Sequence, residues 1–234
     1  ASAQTTIRTG AQDNNPKFVT RNGIMTGLCV DIIKAIQKAD PGIVFSGYDN
    51  FYPFPRILSN LDDGSFDAFV GIVKNPERLE KYTYIDIPLY TLRHAIAVRA
   101  DDMVNVRTIS DIVKLGKDGV ILTNSGVAHI AYLETAGNGK LFIDSSAGTF
   151  EQNFGKLLLK RGRFFYLNDA ELKASLESFP DKEKIKILPI DADSFPHYIA
   201  FSKKVPKETI QKVTKVLETL ERSGELDRIF ARYR

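Results

Sequence analysis

The sequence predicts an α/β protein with mainly parallel sheets, and three observations carry that expectation. Apolar runs of strand length alternate with runs of helical periodicity along all 234 residues, which is the rhythm of βαβ units. Pro and Gly mark the joins, as at Pro41-Gly42 and Asp63-Gly64. No repeat, low-complexity tract or flexible linker breaks the alternation.

Ile7 to Ala11 reads as the first strand. Leu28, Ile32, Ala35, Ile36 and Ala39 recur at helical spacing, and Pro41-Gly42 stops that helix. Ile43 to Tyr48 is the next strand, and Pro55 starts a short helix carrying Ile57, Leu58 and Leu61. A strand from Phe66 to Ile72 ends in the turn Lys74-Asn75-Pro76. A strand-like run from Ile85 to Tyr90 follows, then a strand from Arg93 to Arg99.

A second α/β unit comes next. Its helices are expected at Ser110 to Leu115, Val127 to Ala136, Phe150 to Lys160 and Ala170 to Ser178. Its strands are expected at Gly119 to Thr123, Leu141 to Asp144, Phe164 to Leu167 and Ile185 to Ile190. Tyr198 to Phe201 is a last strand. Pro206 opens a long helix with Ile210, Val213, Leu217 and Leu220 on one face, and Leu226, Ile229, Phe230 and Tyr233 line a terminal helix.

Composition bounds the function. The chain is 43% hydrophobic and 26% charged, enough for one large domain or two small ones with real cores. Its net charge is +3, and apart from Lys160-Arg161-Gly162-Arg163 the basic residues are scattered. A nucleic-acid binder would gather them on a stripe, so the charge reads as solvation with a mild preference for anionic ligands. The single cysteine, Cys29, permits no internal disulfide and reads as a small buried hydrophobe. No apolar run is long enough to span a membrane. His94, His129 and His197 are dispersed and form no metal signature, so no metal or cofactor is expected.

The segment Gly64 to Tyr90, GSFDAFVGIVKNPERLEKYTYIDIPLY, carries the most chemical information. A strand end that delivers backbone N–H groups and an Arg to one spot suits a small anion, because the guanidinium fork grips a carboxylate bidentately. A solvated surface Arg is the plain alternative.

The order G-x-x-D-A, P-E-R, D-x-P-L-Y in that segment resembles family 3 of the bacterial extracytoplasmic solute-binding proteins, the amino-acid-binding type of the ABC transporters. Ile7-Arg8-Thr9-Gly10, Gly23, Gly27-Leu28-Cys29-Val30-Asp31-Ile32, Gly119-Val120-Ile121, Ser125-Gly126, Ala200-Phe201-Ser202-Lys203 and Gly224-Glu225-Leu226 follow the family's order. The resemblance implies a two-lobe clamshell, the type II periplasmic-binding-protein fold. Lobe one would be residues 1–92 and 197–234, with lobe two, 93–196, inserted. Two hinge crossings would lie near Tyr90 to His94 and Ala192 to Tyr198.

The resemblance also implies site residues in a cleft at the carboxyl ends of the strands. Arg78 would be the carboxylate-gripping Arg, and Gly71 and Val73 would lie on the strand end offering backbone groups. Many relatives carry a hydroxyl residue where Val73 stands, so here only the backbone can contribute. Ser125 and Gly126 precede a helix whose N-terminus offers N–H groups to a carboxylate, and Ser125 can equally cap that helix. Relatives use an Asp after the strand that here ends at Leu167, and Asn168-Asp169 stand there. Asp169 has two readings, an ammonium acceptor or an N-cap.

Phe54 aligns with an aromatic that stacks on the ligand. Its partner position, commonly Tyr, is Asn15, and a nearby Asp of many relatives is Gln12, so a more polar or smaller ligand is expected. Arg56 is either a second cation or a solvated helix residue.

The expected function is therefore capture of a small polar carboxylate, with an amino acid the foremost candidate, and its delivery to a membrane ABC permease. The expected partners are that ligand and permease and no nucleic acid, with the protein a monomer in the periplasm. Ala1-Ser2-Ala3 resembles the end of a removed secretory signal. A ligand-sensing domain of a signalling receptor is the first alternative. The complete-looking ending at Tyr233-Arg234 and the absence of a membrane span count against it. A dehydratase-like enzyme on the same fold is the second, and no nucleophile–base pair or carboxylate dyad stands at suggestive spacing.

Overall fold

The computed structural model describes residues 3–125 and 129–234. From the N-terminus come β1 (Thr5–Arg8), β2 (Val19–Arg21), β3 (Ile24–Thr26), α1 (Leu28–Ala39), β4 (Ile43–Ser46), α2 (Phe54–Asp63), β5 (Ala68–Ile72), α3 (Pro76–Lys81) and β6 (Tyr82–Tyr84). β7 (Tyr90–Arg99) carries the chain into a second compact unit, which begins at Leu92 and ends at Ser194. That unit holds α4 (Ile109–Val113), β8 (Ile121–Asn124), α5 (His129–Ala136), β9 (Ile143–Ala147), α6 (Phe150–Leu158), β10 (Phe164–Asn168) and α7 (Asp169–Glu177). β11 (Ile185–Ser202) returns the chain to the first unit, which resumes at Phe195 and ends with α8 (Lys207–Arg222) and α9 (Glu225–Ala231).

In the first unit β1 lies parallel to β4, with Ile7 opposite Phe45. β11 lies antiparallel to both β5 and β6, so that Ala200 faces Phe69 on one side and Tyr84 on the other. All five residues of β5, AFVGI, are buried, which is why that strand is a continuous apolar run and not an alternating one. The stripe Leu28, Ile32 and Ile36 of α1 is fully buried, and α1 packs on α8 and α9, whose Val213, Leu217 and Ile229 are buried in turn.

In the second unit β10 pairs parallel with β8 and antiparallel with β7, and β9 flanks β8 in parallel. Alternate residues of β10 feed two cores. Phe164 and Tyr166 join Ile96, Val98 and Ile121 on one face, while Phe165 and Leu167 join Ala95, Ala97 and Leu122 on the other.

Several expectations from sequence are corrected. The sheets are mixed, because β7 and β11 both run against their neighbours. Ile85 to Leu89 is irregular, and the strand before it is β6. The strands expected at Ile185 to Ile190 and Tyr198 to Phe201 are one 18-residue strand, β11. The hairpin of β2 and β3 was not expected. Its turn, Asn22-Gly23, has φ of 52° and 75°, the left-handed conformation that Asn-Gly supplies at least cost. The expected helix start at Val127 lies outside the described residues, as do Gly126, Ala128, Ala1 and Ser2. Among the described residues no helix is long and apolar enough to cross a membrane.

Candidate functional site

Arg78 is placed by a local rule. Asn75 caps α3, its Oδ1 accepting from the Arg78 N–H at 2.8 Å, and Pro76 takes the first helical position. The guanidinium is half-buried over the ring of Phe54, 5.1 Å from its centroid, a cation–π arrangement. Phe54 opens α2 and leans on Phe69, with centroids 6.2 Å apart. Arg78 Nη1 donates to the Val73 carbonyl at 3.3 Å. Among the described residues no carboxylate pairs with Arg78, whereas Arg8 pairs with Asp67 at 2.7 Å and Arg163 with Asp102 at 2.9 Å. Most of a five-donor fork is therefore held in place and left for an outside acceptor.

The strand end beside it is shaped by internal donors that sequence reasoning missed. Tyr84 donates its hydroxyl to the Val73 carbonyl at 2.8 Å, so with Arg78 that oxygen accepts twice. Both lone pairs of the Val73 carbonyl are then used within the protein. Lys17 is buried and donates from Nζ to the Gly71 carbonyl at 3.0 Å. It lies between β1 and β2, in a loop without periodicity, and the one signal for it is a Lys flanked by the apolar Pro16 and Phe18. Asn15 and Arg56 are exposed and make no hydrogen bond to Arg78, Phe54 or Val73 among the described residues.

Gly71 itself has φ of +96°, and a Cβ there would stand 2.7 Å from Cys29 Sγ and 2.8 Å from the Tyr90 hydroxyl oxygen. Cys29 is fully buried and its thiol is pushed up to about 11 by desolvation, so it is an inert packing group. Tyr90 stacks on His197 with centroids 4.8 Å apart, and His197 Nδ1 meets the Phe195 carbonyl at 2.8 Å.

Burial, helped by the charges of Lys17 and Arg78, lowers His197 from 6.5 to about 3. Burial also lowers His94 in the second unit, to about 4. In both cases the unfolded chain accepts a proton that the folded chain refuses. Stability is then full above pH 6.5 and falls as pH drops through the window toward 4. The urea midpoint of the parent is expected to fall steadily across that window, and His197→Gln is expected to flatten part of the slope. An identical slope in the variant would remove His197 from the account.

In the second unit Asn168 ends β10 and caps α7, its Oδ1 accepting from the Glu171 N–H at 2.9 Å. Its amide nitrogen donates to Glu171 Oε2. The cap position therefore belongs to Asn168, which leaves Asp169 the first residue of α7. Asp169 is half-buried, and its Oδ1 accepts from the N–H groups of Arg93 at 3.2 Å and Ala170 at 2.9 Å. Ser125 follows β8 and is exposed, with its N–H on the Ala147 carbonyl at 2.9 Å. Among the expected residues, Arg78, Phe54 and Val73 come together directly, and Gly71 joins them along β5. Asn168 and Asp169 adjoin at the end of β10, in the other unit.

A two-unit α/β chain in which Arg78 follows the buried strand β5 has the organisation of an extracellular solute-binding protein. Residues 7–234 match the model of the bacterial extracellular solute-binding proteins, family 3, and the chain belongs to that family.

A curated relative, the L-cystine-binding protein TcyJ of Bacillus subtilis, is 28% identical over 128 residues, 54% of this chain and 46% of that protein. The match thus spans about half the length of that relative. Among solved structures, the probable amino-acid ABC transporter extracellular-binding protein ytmK from Bacillus subtilis superposes with a TM-score of 0.80 at 20% identity, covering 99% of this chain and 98% of its own. The ancestral amino acid-binding protein AncCDT-1, described as a precursor of cyclohexadienyl dehydratase, gives 0.71 at 19% identity over 97% and 95% of the two chains. These likenesses establish the type II periplasmic-binding-protein fold.

Proposed function

We propose that the chain captures an amino acid or another small polar carboxylate outside the cytoplasmic membrane and delivers it to an ABC importer. The observation that carries this reading is Arg78, half-buried on Phe54, bonded to one backbone carbonyl and paired with no carboxylate among the described residues. A charge taken out of bulk water calls for a counter-charge, and a solute carboxylate supplies it. Membership of the family and the amino-acid binding stated for TcyJ support the solute class. Asp169 and Asn168 are the proposed acceptors for the solute's ammonium, and Ser125 with Gly126 a proposed further contact for its carboxylate. A catalytic reading draws on the neighbour described as a dehydratase precursor, a likeness of fold alone.

The test is a thermal-shift screen of amino acids, dicarboxylates and amines. A true solute stabilises by RT ln(1 + [L]/Kd), about 2.7 kcal/mol at a hundredfold excess over Kd. A screen in which only amines stabilise would end the carboxylate reading. Asp169→Asn is expected to weaken an α-amino acid by about tenfold while leaving its des-amino analogue unchanged. Calorimetric titration of both ligands checks this, and equal losses for the pair would show that Asp169 only supports α7.

A further inference from the structure

The second unit contains a cavity of about 660 Å³ between the segment 104–107, the 188–191 stretch of β11 and the start of β7. Val104, Val106, Leu188 and Ile190 line it, and so does His94. His94 is buried and stacks on Tyr132, with ring centroids 4.5 Å apart.

Arg93 and Arg107 also line it. Their backbone N–H groups are used, on Asp169 at 3.2 Å and on Asp111 at 3.0 Å. Their guanidiniums pair with no carboxylate among the described residues. The neighbouring cations are committed elsewhere. Arg163 grips Asp102 through two bonds of 2.9 and 3.0 Å, Lys186 donates to the Asp102 carbonyl at 2.6 Å, and Arg99 pairs with Asp101 at 3.0 Å. Asp191 is the one carboxylate lining the cavity, and it is exposed, so cationic charge is in excess there.

The walls are preorganised. The Asp191 N–H donates to the Arg107 carbonyl at 2.6 Å, tying the two segments together. Buried Asp102 accepts from the Val104 N–H at 2.9 Å, and Thr108 caps α4 in a capping box with Asp111, whose carboxylate accepts from the Arg107 and Thr108 N–H groups. A pocket with aliphatic walls, lined also by two exposed arginines that form no ion pair among the described residues, is matched to one ligand chemistry.

We propose that this cavity is a second ligand site, independent of Arg78, for an organic anion with an apolar body, such as an aromatic carboxylate. The rings and aliphatic walls take the body, and Arg93 and Arg107 take the anionic head. Nothing in this assignment depends on the transported solute.

The probe is phenylacetate, with phenethylamine as its cationic counterpart and acetate as the head without the body. Phenylacetate is expected to give saturable amide shifts in ¹H–¹⁵N spectra at Arg93, Asn105, Arg107 and Asp191, and the other two are expected to give none. Calorimetry on Arg93→Gln and Arg107→Gln is expected to show an affinity loss of about ten- to a hundredfold each. Absent shifts, equal binding of phenethylamine, or unchanged affinity in both Gln variants would each overturn the assignment. The spectra on the unaltered protein decide the matter even if a variant proves unstable.

Discussion

Replacing Arg78 with Ala is expected to abolish the thermal stabilisation that a carboxylate solute confers. Truncating one partner of a desolvated, hydrogen-bonded charge pair costs about 2–5 kcal/mol, and 3 kcal/mol is roughly a hundredfold in Kd. The unliganded protein should hardly notice. Arg78 contributes one 3.3 Å bond and its stacking on Phe54 to the free fold, together worth about 1 kcal/mol or less at a part-exposed site. Arg78→Lys keeps the charge but loses the planar fork, and should fall between parent and Ala variant. Calorimetric titration of all three proteins with the best solute from the thermal screen makes the comparison. Parent-like affinity in Arg78→Ala would remove the carboxylate grip from the proposal.

The second large effect is on stability. Gly71→Ala is expected to cost about 2–5 kcal/mol. A left-handed backbone charges an L-residue about 1–2 kcal/mol, and overpacking a filled core adds about 1–3. Both terms apply because φ is +96° and the new methyl would stand 2.7 Å from Cys29 Sγ and 2.8 Å from the Tyr90 hydroxyl. Neither neighbour can move aside, since Cys29 is fully buried and Tyr90 is wedged between His197 and Phe230, with centroids 4.8 and 5.5 Å away. For a chain of this length the melting point should fall by roughly 5–15 °C.

Adding Cys29→Ala removes the sulfur and should recover part of the steric loss, a coupling readable in a double-mutant cycle. The strain term would remain. A Gly71→Ala protein within 1 kcal/mol of the parent would mean that the strand end is softer than this packing allows. The same substitution bears on the proposed site, because the Gly71 carbonyl receives Lys17 and the strand leads directly to Val73 and Arg78.

Much of the fold was legible because its signals are local. The stripe of α1 and that of α8 declare themselves by helical spacing, and both are buried as that spacing requires. Asn75-Pro76-Glu77-Arg78 is a helix start in four residues, a cap followed by Pro at the first position. That helix was read only as a turn because six residues are too few to show a period. The Asn22-Gly23 hairpin carried its own signal as well, although strands of three residues leave too little alternation to support it. β11 reads as two strands because Pro189 and Pro196 look like breaks, while pairing with neighbouring strands carries it through.

The candidate site divides along the same line. The chain itself determined that Arg78 follows a buried strand behind an Asn cap, and that Cys29 lies on an apolar helix face. It also determined that Asn168-Asp169 begins a helix. Each of these depends on neighbours within a few residues. Tertiary structure alone decided that Lys17 reaches the Gly71 carbonyl across 54 positions, that Tyr84 shares the Val73 oxygen with Arg78, and that Arg163 rather than Arg107 takes Asp102. The physical reason is that a periodicity reports which face of an element is buried but not which distant group it meets. A long cationic side chain can find an acceptor anywhere within its reach, and only the folded backbone fixes which one that is.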